Sequence, residues 1–287
     1  MKDGPRMTMI VAAMAEELAL LRARLVGATP ITIPDGKARE VVSGRLGGCP
    51  VVLAVTGDGA RNAREGIAAV LGAVSARELL VLGISGGLSP DLREGDVVVA
   101  ARVVDEAAPP GAAVTAAASS IEAVARASGA RPGTVVTARH IADSVAEKRR
   151  LFGLGGAATA VVDLETAGYV AAATAAGVPW MVLRAVSDTA GEALPGLLNR
   201  ARDDGGAVQR SRVVRGLLGD PGALPALLTL RRRLKVCAEA LARAATAVVT
   251  SGALPAPAPL SDFATQVAGE PTSSDDANPP LSPGVHP

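Results

Sequence analysis

The sequence predicts an α/β protein with helices covering both faces of its sheet. Three observations predict it. Short apolar runs alternate with longer stretches of helical pattern. The runs are rich in valine and bounded by Gly, Pro or charge. Several of them end on a small or acidic element (AAM-AEE, AVTGDGARN, VLGISGG, VVDLET and RAVSDT), at the carboxyl ends of strands where such sheets bind ligands.

Taken in chain order, a strand over 8–13 (TMIVAA) precedes a helix over 15–25 (AEELALLRARL). A strand over 50–55 (PVVLAV) leads into a helix over 60–73 (ARNAREGIAAVLGA). Strands over 78–82 (ELLVL) and 96–103 (DVVVAARV) precede a helix over 119–127. Strand and helix then alternate over 134–137, 143–151, 159–163, 165–176 and 179–186 (PWMVLRAV). A long helical pattern over 222–248 closes the series. No internal repeat is visible.

With 287 residues the chain fits one large domain or two small ones, and 49% hydrophobic residues are ample for a core. Aromatics number four, so ring stacking on a ligand has few sources. A net charge of +1 argues against nucleic acid as a partner. Cys49 and Cys237 have no metal or redox spacing and read as free thiols of a cytoplasmic protein. No run of 18 apolar residues suggests a membrane span. Glu16 and Glu17 interrupt the N-terminal apolar stretch too early for a signal peptide. Residues 1–7 read as a loose leader, with Met7 or Met9 as alternative starts. The domain is expected over 8–250. The Pro-, Ser-, Ala- and Asp-rich segment 251–287 reads as a disordered tail.

Five stretches carry potential chemistry. TGDGARNA, 56–63, is strand, glycine turn and helix: either an ordinary connection or a loop whose N–H groups meet an anion, through Gly57 and Gly59. It lacks the third glycine of a dinucleotide fingerprint and the Lys-Ser/Thr of a P-loop. LGISGGLSPDLREGDVVVA, 82–100, brings a second glycine turn with Ser85 and Gly86, where turn chemistry alone is the competing account. AMAEELALL, 13–21, puts Glu16 and Glu17 in a first helical turn, where the macrodipole favours them and where one could serve as a general base. In VVDLETAG, Asp163 and Glu165 would share one face of a strand, and a helix cap accounts for one of them but not easily for both. RAVSDTA ends a central-looking strand on Ser187-Asp188. The two histidines, His140 and His286, accompany neither a nucleophile elbow nor a metal cluster, so no metal and no cofactor is expected.

Taken in order, AMAEELALL, TGDG, LGISGGLSPDLREGDVVVA, VVDLETAG and VPWMVLRAVSDTA resemble the nucleoside phosphorylase/nucleosidase superfamily, most closely its 5'-methylthioadenosine/S-adenosylhomocysteine nucleosidase branch. The segment NRARDDGGAVQRSRVVRGLLGDPGALPALLTLRRRL further resembles phosphorylase-like proteins associated with hopanoid biosynthesis, thought to act on adenosylhopane. The resemblance implies a three-layer α/β/α fold around a twisted mixed sheet, and cleavage of the N-ribosidic bond of a 5'-substituted adenine nucleoside. It implies ribose binding at Glu165 beside Leu164, and Asp188 as the acid that protonates the leaving base. Glu17 is then the activator of water, with Glu16 one step away. Base contacts fall at Ser187, Ile141 and His140. A homodimer or larger homo-oligomer is implied as well.

Two departures stand out. His140 occupies the place where relatives stack adenine on a Phe, with Phe152 further on. Val81 and Ile84 occupy the places of the Arg and Ser that hold phosphate in true phosphorylases, although Ser85 follows directly and Arg61 or Arg64 offers an alternative anion holder. Water is therefore favoured over phosphate as co-substrate. A non-catalytic nucleoside-binding module on the same fold is the competing reading. Arg231, Arg232, Arg233 and Lys235 mark 222–248 either as a packed surface helix or as a basic face resting on a membrane.

Overall fold

The computed structural model describes residues 6–34, 36–200 and 224–255. All of them belong to one compact unit, Met1–Pro257. The remainder of the expected tail and most of the leader lie outside the described residues.

Ten strands build a mixed sheet: β1 (Met7–Ala12), β2 (Val26–Pro30), β3 (Glu40–Leu46), β4 (Cys49–Val55), β5 (Ala76–Gly87), β6 (Val97–Asp105), β7 (Val114–Thr115), β8 (Arg131–Thr137), β9 (Ala160–Asp163) and β10 (Trp180–Asp188). Their spatial order is β10-β6-β8-β9-β5-β1-β4-β3-β2, with β7 on β6 and a further pairing of β10 with β5. That last pairing closes β5, β10, β6, β8 and β9 into a ring. Strand β5 makes the closure possible. Its first half pairs in parallel with β1, Leu79 to Gly86 pair in parallel with β10, and Gly86 and Gly87 at its far end pair antiparallel with Val162 and Val161 of β9.

The helices are α1 (Ala15–Ala23), α2 (Ala60–Ala73), α3 (Ala118–Ser128), α4 (Val145–Gly155), α5 (Thr166–Ala175), the short α6 (Leu197–Arg200) and α7 (Leu224–Ser251). On one face α2 and α5 bury Ile67, Val70, Tyr169 and Val170 against the sheet. On the other, α1, α3 and α7 bury Leu18, Leu21, Val124, Leu241 and Val248. A smaller cluster packs α4 through Leu151 on β8 and β9. Layers of helix, sheet and helix are thus present, as the valine-rich runs predict.

Three strands escape the sequence reading. Strand β2 (VGATP) is exposed along its whole length and so lacks an apolar run; Pro is tolerated there because the strand is an edge. Strand β3 (EVVSGRL) carries Ser, Gly and Arg in its middle, and β7 is two residues long. Helix α7 ends at Ser251, and Ala253 and Leu254 still pack on the core. Its apolar side, from Cys237 to Val249, is spent on the sheet. Two of its cations are engaged, Arg232 with Glu94 and Arg233 with Glu192 and Glu94. None of the described helices is long and apolar enough to cross a membrane.

Candidate active site

Four carboxylates converge where β1, β5, β9 and β10 end. Glu17 lies in the first turn of α1 and is 3% exposed. One oxygen takes the Met14 N–H at 2.9 Å, the return half of a capping box. Its other oxygen reaches across to the N–H of Ile84 on β5, also at 2.9 Å. Burial pushes its carboxyl above the ordinary range, and the Arg184 guanidinium partly offsets this. Glu16 is exposed and does not line the cavity described below, which separates the two neighbours that the sequence leaves open.

The Asp-Leu-Glu stretch is not strand throughout. Strand β9 stops at Asp163, and Glu165 has already turned off it at the start of α5 (φ −129°, ψ −28°). The two acids therefore do different work. Asp163 caps α5: its Oδ2 accepts from the Thr166 N–H at 2.9 Å and from the Thr166 hydroxyl at 2.6 Å, and Oδ1 accepts from Thr137 at 2.9 Å. It is also ion-paired with Arg184, 2.5 Å away and 1% exposed. Glu165 receives the Gly59 N–H at 2.8 Å and, more weakly, the Leu164 N–H at 3.3 Å. Burial, with the Asp163 charge added, pushes its carboxyl up to about 8, although Arg184 works the other way. Close packing admits this arrangement only with glycine at 83, because a Cβ there would fall inside the Arg184 guanidinium.

Asp188 closes β10 and is 2% exposed. Ser187 donates to its Oδ1 at 2.6 Å, and the Lys148 ammonium of α4 lies 2.5 Å from its Oδ2. The sequence reading surrounds Asp188 with an apolar strand end; the structure puts a buried cation against it instead. Gly86 lets β5 come alongside, since a Cβ there would meet Asp188 Oδ2 at 3.1 Å.

Glu17, Asp163, Glu165, Ser187 and Asp188 line one cavity of about 300 Å³, a size suited to a small organic ligand. Ser85, Gly86, Leu164, Ile141 and His140 line it too, so most residues singled out in the sequence come together. Ser85 Oγ is buried and has no hydrogen-bond partner in the structure. A hydroxyl in that state calls for something that enters the cavity. The rest of the wall is apolar, with Met14, Ile84, Leu194, Leu198 and Leu234 among its members.

Some expectations need correction. Gly57 and Gly59 do not line the cavity; the Gly57 N–H donates to Ala13 O (2.9 Å) and the Gly59 N–H to the Glu165 carboxyl (2.8 Å). Arg61 and Arg64 border a separate groove of about 940 Å³ between α2 and α5, which contains none of the acid cluster. Val81 is fully buried core. Phe152 packs with Leu164 in the α4 cluster and stays out of the cavity. Lys148 and Arg184, each buried against a site carboxylate, are not among the residues the sequence motifs single out. Arg184 was detectable as a lone charge in an apolar strand, whereas Lys148 lies in AEKRR, which reads as a solvated helix face.

Known proteins resemble this chain in sequence and in fold. A 5'-methylthioadenosine/S-adenosylhomocysteine nucleosidase from Geobacillus thermodenitrificans is 30% identical over 214 residues, covering 64% of this chain and 84% of the relative. Its counterpart from Geobacillus kaustophilus is 37% identical over 95 residues, 33% of this chain and 39% of the relative. This match spans about two fifths of that protein's length. Among solved structures, a nucleosidase of the same description from Colwellia psychrerythraea, in complex with adenine, superposes with a TM-score of 0.68 at 18% identity, over 88% of this chain and 96% of the other, and so shares the fold. The sequence model described as Phosphorylase superfamily matches residues 8–218, and the chain belongs to that family.

Proposed function

We propose that the protein hydrolyses the N-ribosidic bond of a 5'-substituted adenine nucleoside and releases adenine. The observation that carries this reading is the convergence of Glu17, Glu165 and Asp188 on one cavity whose Ser85 hydroxyl lacks a partner. Each acid has a distinct task. Glu165 accepts the ribose hydroxyls, and two such bonds to a carboxylate are charge-assisted and strong. Those bonds also favour the charged form that burial disfavours. Glu17, raised in proton affinity by burial, takes a proton from the attacking water, a role for which a base poised towards neutrality is suited. Water attacks the anomeric carbon as the bond to N9 breaks, its proton passing to Glu17, and Asp188 donates the proton that the departing base gains at N7. Ser187, Ile141 and His140 border the base, and His140 stands in place of the stacking Phe of relatives.

Water rather than phosphate is the co-substrate in this reading. Among the described residues lining the cavity there is no Lys or Arg to meet a phosphate dianion. The leucine wall of Leu194, Leu198 and Leu234 supports an apolar 5'-substituent, either the thioether of methylthioadenosine or S-adenosylhomocysteine, or the larger hydrocarbon of adenosylhopane. The test is adenine release by the purified protein from these three nucleosides, each with and without phosphate. Release independent of phosphate is expected. Tight binding with no turnover of any of them would replace the hydrolase with a nucleoside-binding module, and a requirement for phosphate would make it a phosphorylase.

A further inference from the structure

Lys148 is 1% exposed, among the most deeply buried charges in the chain. An ammonium has three protons to place. Here they go to Asp188 Oδ2 (2.5 Å), Thr189 O (2.7 Å) and Glu192 O (2.8 Å). Every proton is placed, and all three acceptors belong to the strand end that carries Asp188 or to the strap that follows it. The other carboxylate oxygen is held by Ser187 at 2.6 Å. Asp188 is thus gripped from both sides, and its carboxyl plane cannot turn without breaking a buried contact. The strap is tied down as well. Glu192 accepts the Thr189 N–H at 2.9 Å and pairs with Arg233 of α7 at 2.8 Å, and the Arg233 guanidinium holds its carboxyl down to about 2. Leu194, two residues beyond Glu192, forms part of the cavity wall.

From this geometry we infer that Lys148 is a positioning residue: it fixes the orientation of Asp188 towards the base and, through the same ammonium, the strap that carries the apolar wall. The inference rests on the hydrolase reading above. A cation serving stability alone needs no particular aim, whereas this one spends its three bonds on the acid and the two carbonyls next to it. Lys148 touches no cavity space itself, so it acts through Asp188 rather than on substrate.

The test is a double-mutant cycle with Lys148→Met, Asp188→Asn and the pair together, read as kcat and KM for adenine release. Lys148→Met is expected to lower kcat by about 10- to 100-fold, part of what a general acid is worth, with KM changed by less than about threefold. In the Asp188→Asn background the same change is expected to cost nothing further in kcat, because the group it orients is already gone. The double variant removes both charges and keeps the volume, so it folds even where a single one does not. Lys148→Arg, which retains a cation, is expected to keep more kcat than Lys148→Met. Equal losses of kcat from Lys148→Met in both backgrounds would overturn the inference, as would unchanged kcat in the single variant or no advantage for Arg. Wild-type protein that releases no adenine would overturn the hydrolase reading and this inference with it. An active wild type with an indifferent Lys148 would overturn this inference alone.

Discussion

Glu165 should cost the fold stability at alkaline pH, and removing its charge should give that stability back. Its carboxyl is held at about 8 in the folded protein against an ordinary 4.5, chiefly by burial and secondly by Asp163. The folded chain therefore binds this proton more tightly than the unfolded chain. The stabilising contribution is complete below pH 4.5 and is lost as pH rises through 8. At 1.36 kcal/mol per tenfold change in proton affinity, the loss reaches a ceiling of about 5 kcal/mol by pH 9. Relaxation and water entering the cavity reduce this to about 2–3 kcal/mol. Glu165→Gln keeps the shape and the oxygen that accepts the Gly59 N–H, and it cannot ionise. Urea unfolding of both proteins at pH 5.5 and pH 9 measures the effect. Part of the loss already precedes pH 5.5, where the unfolded carboxyl is ionised, so the variant's advantage over wild type should grow by about 1.5–2 kcal/mol between the two pH values. The same substitution should cripple adenine release, because a neutral amide accepts the ribose hydroxyls less strongly. A stability difference that does not change with pH would refute the argument, since it would mean that Glu165 is already ionised, without cost, in the folded state.

Three further outcomes follow from the site. Glu17→Gln should lower kcat for adenine release by about 10²- to 10⁴-fold, while the exposed neighbour change Glu16→Gln stays within about twofold of wild type in the same assay. Ser85→Ala should leave urea stability unchanged or slightly raised, because it removes a buried hydroxyl that lacks a partner, yet lower kcat/KM by about tenfold if that hydroxyl meets substrate or water. Gly83→Ala should destabilise by about 3–5 kcal/mol in urea unfolding, because the new methyl displaces Arg184 from its buried pair with Asp163.

The sheet was legible in the sequence because buried strands need apolar residues, and this chain spends valine on them almost without interruption. Edge strands have no such need. Strand β2, exposed throughout, carries no signal that distinguishes it from a loop. The closure of the ring through β5 and β10 was hidden for another reason: it depends on one strand changing partners along its length, which leaves no trace in local pattern. Among site residues, the acids were legible because charge in an apolar run is costly and asks for a reason. Lys148 was not, because its neighbours in AEKRR are charged, and only the packing of α4 turns that one side chain inwards.

The division of labour between Asp163 and Glu165 shows what a spacing of two can mislead about. On a continuous strand the two carboxylates would face the same way and repel across a short gap. The chain ends the strand between them and gives each its own partners, although the Asp163 charge still raises the Glu165 carboxyl. Asp163 then receives every local compensation: a helix N-terminus, two threonine hydroxyls and a buried guanidinium. Glu165, with only backbone donors, stays under-compensated, and its proton affinity rises accordingly. A buried carboxylate in that condition gains most from a ligand that brings two hydroxyl donors, so the same imbalance that burdens the empty fold strengthens binding of a ribose. Asp163 has no such capacity left, and its replacement should register as lost stability before it registers as altered substrate binding.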